Sequence, residues 1–370
     1  MKPQELVFYI ATSMLQEVGP IKAKQLISYL GSPECIFKES ASRLSKIPNI
    51  GEAIVKEIKK NNVLALAEKE MDFILKNDIK ILTYVDDAYP YRMKNCEDSP
   101  LLFYYKGDVD FNTQKIISIV GTRNATDYGK QCCKNIINDI KQHNPIIVSG
   151  LAFGIDVCAH KEALNADLQT IAVLGTPLGK VSPTSHIELA KNITQHGCVM
   201  SEYHSQTKFD SKLFVRRNRI IAALSDATIV VESKVKGGAL ITADFANQYN
   251  RDVCAVPGNV GNKCSQGCNN LIKENKAALI ESGKDLEQLL NWDLEEKIQK
   301  KSQRELFVDI SDEEKTIIDY LSEHPDSLID KIAIDCDIPM SKLSAQLLNM
   351  EFKGLIRCMP GKLFRNELLM

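Results

Sequence analysis

At 370 residues the chain is too long for one ordinary domain, and two or three are expected. With 46 Lys+Arg against 48 Asp+Glu and a pI near 6.3, it has no overall field to attract nucleic acid, so any such function must come from a local patch. No apolar run approaches the ~20 residues of a membrane span, the first residues carry no credible leader cleavage site, and the eleven scattered cysteines suit a reducing compartment, so a cytoplasmic protein with no membrane attachment is expected.

Residues 1–85 read as a small helical domain. Two stretches look alike, LQEVGPIKAKQLISYL at 15–30 and LSKIPNIGEAIVKEIKK at 44–60. Each places a Gly turn ahead of an amphipathic helix, with apolar residues three and four apart. The second resembles a helix-hairpin-helix, in which the turn approaches a phosphate. The other reading is that both turns serve packing alone.

Residues 86–290 change pattern. IISIVG, IIVSG, QTIAVLG, CVMSEY, ATIVVE, DVCAVPG and AALIES are short β-branched runs separated by helical stretches. This alternation predicts an α/β fold, an extended Rossmann-like doubly wound, mostly parallel sheet covered on both faces. Residues 291–310 are highly charged with little apolar periodicity, a linker with partial helix. Residues 311–370 give three amphipathic helices and a Gly-containing hairpin, a winged helix, with Ser311 and Ser341 as caps of its first and third helices.

Ligands of open α/β sheets bind outside the carboxyl ends of the strands. Those ends here are rich in small residues: Gly121-Thr122-Arg123, Ser149-Gly150-Leu151-Ala152-Phe153-Gly154, Gly175-Thr176-Pro177 and Pro257-Gly258-Asn259. Gly237-Gly238 opens a helix carrying Thr242 after the strand ending at Glu232. Small residues let a ligand reach backbone amides, and helix N-termini favour anions. No GxGxxG or Walker motif is present, so neither a dinucleotide nor any other cofactor is expected.

FVRRNRIIAALSDATIVVE, residues 214–232, crowds Arg216, Arg217 and Arg219 onto one helix start, with Lys208 and Lys212 upstream. On a helix Arg216 and Arg219 share a face, and Arg217 points about a quarter-turn away. Cations at a helix N-terminus oppose its dipole, so a compensating anion is expected. It is either a multi-phosphate ligand or acidic neighbours such as Glu202, Asp226 and Glu232.

SIVGTRNATDYGK, VSGLAFGIDVCAH, TIAVLGTPL, SEY, FVRRNRIIAALS, VVESKVKGGALITA, CAVPGN and GCNNLI, in this order and spacing, resemble the DNA processing protein A family, also called Smf. The resemblance spans about residues 82–290, and the flanking segments look like further domains of that family. It implies a homodimer that binds single-stranded DNA and loads the RecA recombinase during natural transformation, without enzymatic turnover. Carried across by position, it assigns DNA contacts to Arg123, Phe214, Arg216, Arg217, Asn218, Arg219, Gly237, Gly238 and Thr242. Gly121, Thr122, Ser149, Gly150, Phe153 and Lys212 complete the expected site. Three residues depart from the family pattern: Val215 replaces a proline, Pro177 a glycine and Phe153 an arginine. Phe153 could then stack a base or pack inward.

Two other functions compete. A phosphoribohydrolase-like enzyme would use Glu202, Glu232 or Asp156 as acid, but needs a paired base that the sequence does not supply. Asp156 and His160 lie four apart, and are expected to be a helix-start carboxylate and a surface imidazole. Cys264 and Cys268 flank SQG and Cys132-Cys133 are adjacent, but no second Cys/His pair has zinc spacing, so no metal is expected. A winged-helix regulator would read duplex DNA with MSKLSAQLLNMEFKG, which offers Lys342 and Lys353 but few other base-reading groups.

Overall fold

The computed structural model describes residues 3–60, 62–292, 311–325, 327–359 and 363–367. They form two compact units, residues 1–290 and 291–370. The linker expected at 291–310 lies almost wholly outside the described residues.

The first unit opens with helices α1 (Pro3–Ser13), α2 (Pro20–Leu30), α3 (Pro33–Lys38), α4 (Ala41–Leu44), α5 (Glu52–Ile58) and α6 (Asn62–Lys76). Strand β1 (Lys80–Thr83), the short helix α7 (Tyr91–Lys94) and strand β2 (Leu102–Gly107) follow. The alternating region comprises β3 (Ile116–Val120), α8 (Asp127–Ile140), β4 (Ile146–Ser149), α9 (Ile155–Asn165), β5 (Thr170–Val173), α10 (Ile187–Gln195) and β6 (Gly197–Ser201). It continues with α11 (Ser211–Leu224), β7 (Ala227–Val230), α12 (Gly238–Gln248), β8 (Asp252–Ala255), α13 (Gln266–Lys273), β9 (Ala278–Leu279) and α14 (Gly283–Leu289).

Nine strands make one sheet in the order β1-β2-β6-β5-β4-β3-β7-β8-β9. The seven runs read from sequence are the parallel part. Their β-branched residues are buried on both faces, which removes the alternation of a one-sided strand. β1 and β2, which sequence reading did not pick out, add an antiparallel edge through β6. Lys80–Thr83 is therefore a strand of the large sheet. From β3 the chain winds one way through β4, β5 and β6, then the other way through β7, β8 and β9. Right-handed crossovers place α8 and α9 on one face and α12 on the other, where α11 packs beside it. The switch point is the gap between the ends of β3 and β7, where such a sheet offers a crevice.

The main core lies between the sheet and these helices, with Val148, Ile171, Val173 and Ile221 essentially inaccessible. A second core joins the N-terminal helices to Leu101, Leu102 and Tyr104 of the β2 region. At its surface the Glu57 carboxylate accepts the amides of Gln16 at 2.5 Å and Glu17 at 2.9 Å. The first Gly turn is thus braced by the helix that follows the second.

The second unit has α15 (Asp312–Glu323), β10 (Ser327–Leu328), α16 (Ile329–Asp335), α17 (Met340–Phe352) and the antiparallel pair β11 (Ile356–Met359) and β12 (Leu363–Asn366), a winged helix. Ser311 caps α15 in a reciprocal box with Glu314. Ser341 does not cap α17: the helix begins at Met340 behind Pro339 and Ser341 lies inside it. Among the described residues no helix is long and apolar enough to cross a membrane.

Candidate nucleic-acid interface

A cleft of about 300 Å³ opens at the switch point. Gly121, Thr122 and Arg123 at the end of β3 line one side, and Gly237, Gly238 and Thr242 at the start of α12 line the other. Phe214, Arg217 and Asn218 of α11 form a further wall.

Gly121 admits the close approach of α9, because a Cβ there would lie 2.5 Å from the Ile155 side chain. The Thr122 amide donates to the Glu232 carbonyl at 2.7 Å, fixing the turn against the end of β7. Arg123 then projects as an exposed side chain with no hydrogen bond or ion pair among the described residues. Across the cleft α12 begins behind Gly237 with no side-chain cap, leaving the Gly238 and Ala239 amides open to a ligand. A Cβ on Gly238 would meet nothing within 4 Å. Asn218 donates to the Gly238 carbonyl at 3.3 Å and so sets α11 against that turn. The Phe214 ring lies over Gly175, where a Cβ would sit 2.8 Å from it.

Sequence reading missed Lys234 and Lys236, both exposed cleft residues without an ion pair among the described residues. The signal was present as KVKGG, two cations at alternate positions ahead of the Gly pair.

The structure separates the three arginines. Arg217 is buried at 4% exposure, and its guanidinium donates to the Gly150 carbonyl at 2.7 Å and to that of Val173. Burial lowers its pKa to about 10 against the opposing pull of Asp156. It forms the cleft floor and has spent donors on the protein. Arg219 is not an open phosphate contact: it pairs with Glu202, donates to the Asp98 carbonyl at 2.5 Å and is 7% exposed. Only Arg216 is exposed, and it lines other clefts, beside the N-terminal helices. The expectation that acids absorb these arginines therefore holds for Arg219 through Glu202. Asp226 serves Arg92 instead, at 2.7 Å.

Ser149 and Gly150 are also interior. The Ser149 hydroxyl donates to the Ile119 carbonyl at 2.6 Å. A Cβ on Gly150 would lie 2.4 Å from the Arg217 guanidinium, so this glycine makes room for an arginine, not for a ligand. The Asp156 carboxylate accepts from the Ala152 amide at 3.4 Å, within the turn that follows β4. Phe153 does not pack inward: it is 50% exposed, its ring edge-on to buried His186 with centroids 4.9 Å apart. Lys212 is exposed in the first turn of α11, where Asp210 caps its amide.

Candidate enzymatic acids are equally engaged. The Glu232 carboxylate accepts from the Thr126 hydroxyl at 2.6 Å and the Thr126 amide at 2.9 Å. Burial pushes the Asp156 carboxyl up, and Arg217 opposes that shift. His160 is no surface imidazole: it is fully buried, its Nδ1 lies 2.7 Å from the Thr170 hydroxyl, and burial lowers its pKa to about 3. Among the described residues no three His, Cys, Asp or Glu side chains gather as a metal site.

Residues 80–291 match the family described as DNA recombination-mediator protein A. The chain belongs to that family. Residues 301–362 match its winged-helix domain. The Smf protein of Synechocystis sp. is 30% identical over 99% of this chain and 100% of its own length. The DNA processing protein of Streptococcus pneumoniae is 38% identical over 55% of this chain and 71% of its own. The crystal structure of the S. pneumoniae protein superposes with a TM-score of 0.65 at 29% identity, covering 77% of this chain and 97% of that one. A Helicobacter pylori structure, described as revealing that protein's single-stranded DNA binding mode, superposes with a TM-score of 0.53 at 28% identity, covering 58% and 96%.

Proposed function

We propose that this chain is a cytoplasmic, homodimeric recombination mediator that binds single-stranded DNA in the strand-end cleft and passes it to a RecA recombinase during natural transformation. One observation carries the reading. Arg123, Lys234 and Lys236, three cations without ion pairs among the described residues, surround an uncapped helix start at the switch point of the sheet. Phosphates satisfy both the cations and the open amides. Phe214 offers an aromatic face nearby and no base-edge reader stands out, so sequence preference should be slight. The single-strand binding described for the H. pylori relative supports the same assignment.

The competing functions have less support. Glu232 and Glu202 are committed to Thr126 and Arg219, and the third candidate acid, Asp156, accepts from the Ala152 amide and faces Arg217. In the winged helix Lys342 pairs with Glu313 at 2.5 Å and Lys353 with Glu314 at 2.7 Å, which lowers the net positive charge that helix offers a duplex.

The test is a titration of labelled oligothymidine against wild type and the triple variant Arg123→Ala/Lys234→Ala/Lys236→Ala at several salt concentrations. The slope of log affinity against log salt should flatten by roughly 0.7 per lost contact, about 2 in all. A folded triple variant with unchanged affinity and slope would sink the assignment. Acceleration of RecA filament growth on the same strand, measured in parallel, tests the mediator step.

A further inference from the structure

Helix α11 separates two clefts. Ser211, Phe214, Val215 and Asn218, spaced three and four apart, face the strand-end cleft. Arg216 looks the other way, into a cleft of about 410 Å³ between the N-terminal helices and the loop after β6. Gly19 and Pro20 at the start of α2 line it, together with His204, Thr207 and Leu213.

Several features of this second cleft lack a partner among the described residues. Arg216 is exposed and has no hydrogen bond or ion pair among the described residues, whereas its neighbours Arg217 and Arg219 are both engaged. Glu202, the lining carboxylate closest to it in sequence, is taken by Arg219. His204 Nδ1 and Thr207 Oγ1 are inaccessible side-chain atoms with no hydrogen-bond partner among the described residues, and both residues line the cleft. Buried polar atoms are ordinarily satisfied, so two orphans in one short loop beside a cavity point to a group that enters it. Burial holds His204 below the usual imidazole range, so it is neutral near pH 7 and keeps one N–H to donate. The Thr207 hydroxyl is a second donor. α2 adds an uncapped first turn. One cation and neutral donors around a small cavity are the chemistry of a phosphate site. Glu17 on the rim is the opposing charge.

We propose that this cleft is a second phosphate subsite for the same single strand, which crosses over α11 and is clamped by Arg216. It rests on the single-strand reading of the first cleft. A helix with its side chains is about 10 Å across, so a strand confined to the first cleft cannot reach the second, and a longer one can. The same recognition would suit free phosphate, which the experiment separates.

Affinity is measured for oligothymidines of about 4 and about 15 nucleotides, lengths that bracket ordinary site sizes. Arg216→Ala should leave the short strand unchanged, weaken the long one several-fold and flatten its salt slope by roughly 0.7. Arg216→Lys should restore most of the slope, and Glu17→Gln should tighten the long strand alone. Arg123→Ala should weaken both lengths. Equal effects of Arg216→Ala on both lengths would place Arg216 in the first cleft and overturn the proposal, as would no effect on either. Binding of inorganic phosphate that shifts the His204 ring resonances while leaving long-strand affinity dependent on Arg123 only would make this a free-phosphate site and overturn the strand path. Loss of the Arg123 effect would instead overturn the reading of the first cleft.

Discussion

The turn after β4 and the turn after β7 start from similar material, small residues leading into a helix, and end in opposite states. After β4, Asp156 takes the Ala152 amide and Arg217 takes the Gly150 carbonyl. The turn is filled by the protein itself. After β7, the Gly237-Gly238 turn meets an uncapped helix and exposed lysines. It is left open. Small residues at a strand end therefore mark a space, and the occupant depends on whether a long buried side chain reaches it from another element.

The largest effect should come from emptying the filled turn. Arg217→Ala would leave Asp156 buried without its countercharge, and should destabilise the first unit by about 3–5 kcal/mol in denaturant melts. An affinity loss in a variant that melts normally would instead assign Arg217 to the ligand. Next comes a paired substitution. Gly150→Ala drives a methyl into the Arg217 guanidinium and should cost about 1–3 kcal/mol, while Gly238→Ala has open space and should stay within about 0.5 kcal/mol. Equal costs would abolish the distinction between the turns.

A smaller effect concerns pH. His160, held neutral by burial and by nearby Arg217, has a folded pKa of about 3. Below the unfolded value near 6.5 the unfolded chain binds the extra proton, so stability falls as pH drops from about 6.5 toward 3. That amounts to about 1.4 kcal/mol by pH 5.5. His160→Gln should remove this component of the slope, and an unchanged slope would show that the imidazole titrates freely. The smallest change in stability belongs to Phe153. Half exposed, it can be cut to alanine with little shift in melting, while single-strand affinity should fall by about 1–3 kcal/mol if it stacks a base. Unaltered affinity would remove it from the DNA path.

The parallel sheet was legible because strands buried on both faces are written as unbroken β-branched runs. β1 and β2 were not, since four residues of KILT carry too little pattern and their pairing is with each other and β6. The members of the site were legible as strand-end residues, yet their directions were not. Spacing along α11 correctly puts Arg216 and Arg219 on one face, but the Glu202 that claims Arg219 comes from the loop after β6, which helix periodicity does not report. Ser149 and Gly150 failed for the same reason: their partners, Ile119 and Arg217, lie on other elements. Ser341 failed locally, because Pro339 starts the helix before the serine can cap it.

The pairing of β1 with β2 sets where the protein can be cut. A fragment beginning at residue 86 would lack the strand that covers the outer edge of β2 and the helices that cover Leu101, Leu102 and Tyr104. It would present a bare strand edge beside an apolar surface, the combination that templates aggregation. The N-terminal helices thus act as a solubility cover for the sheet, whatever else they bind. For that reason the winged-helix unit is the part to remove when the cleft is studied in isolation, and the N-terminal segment is the part to retain.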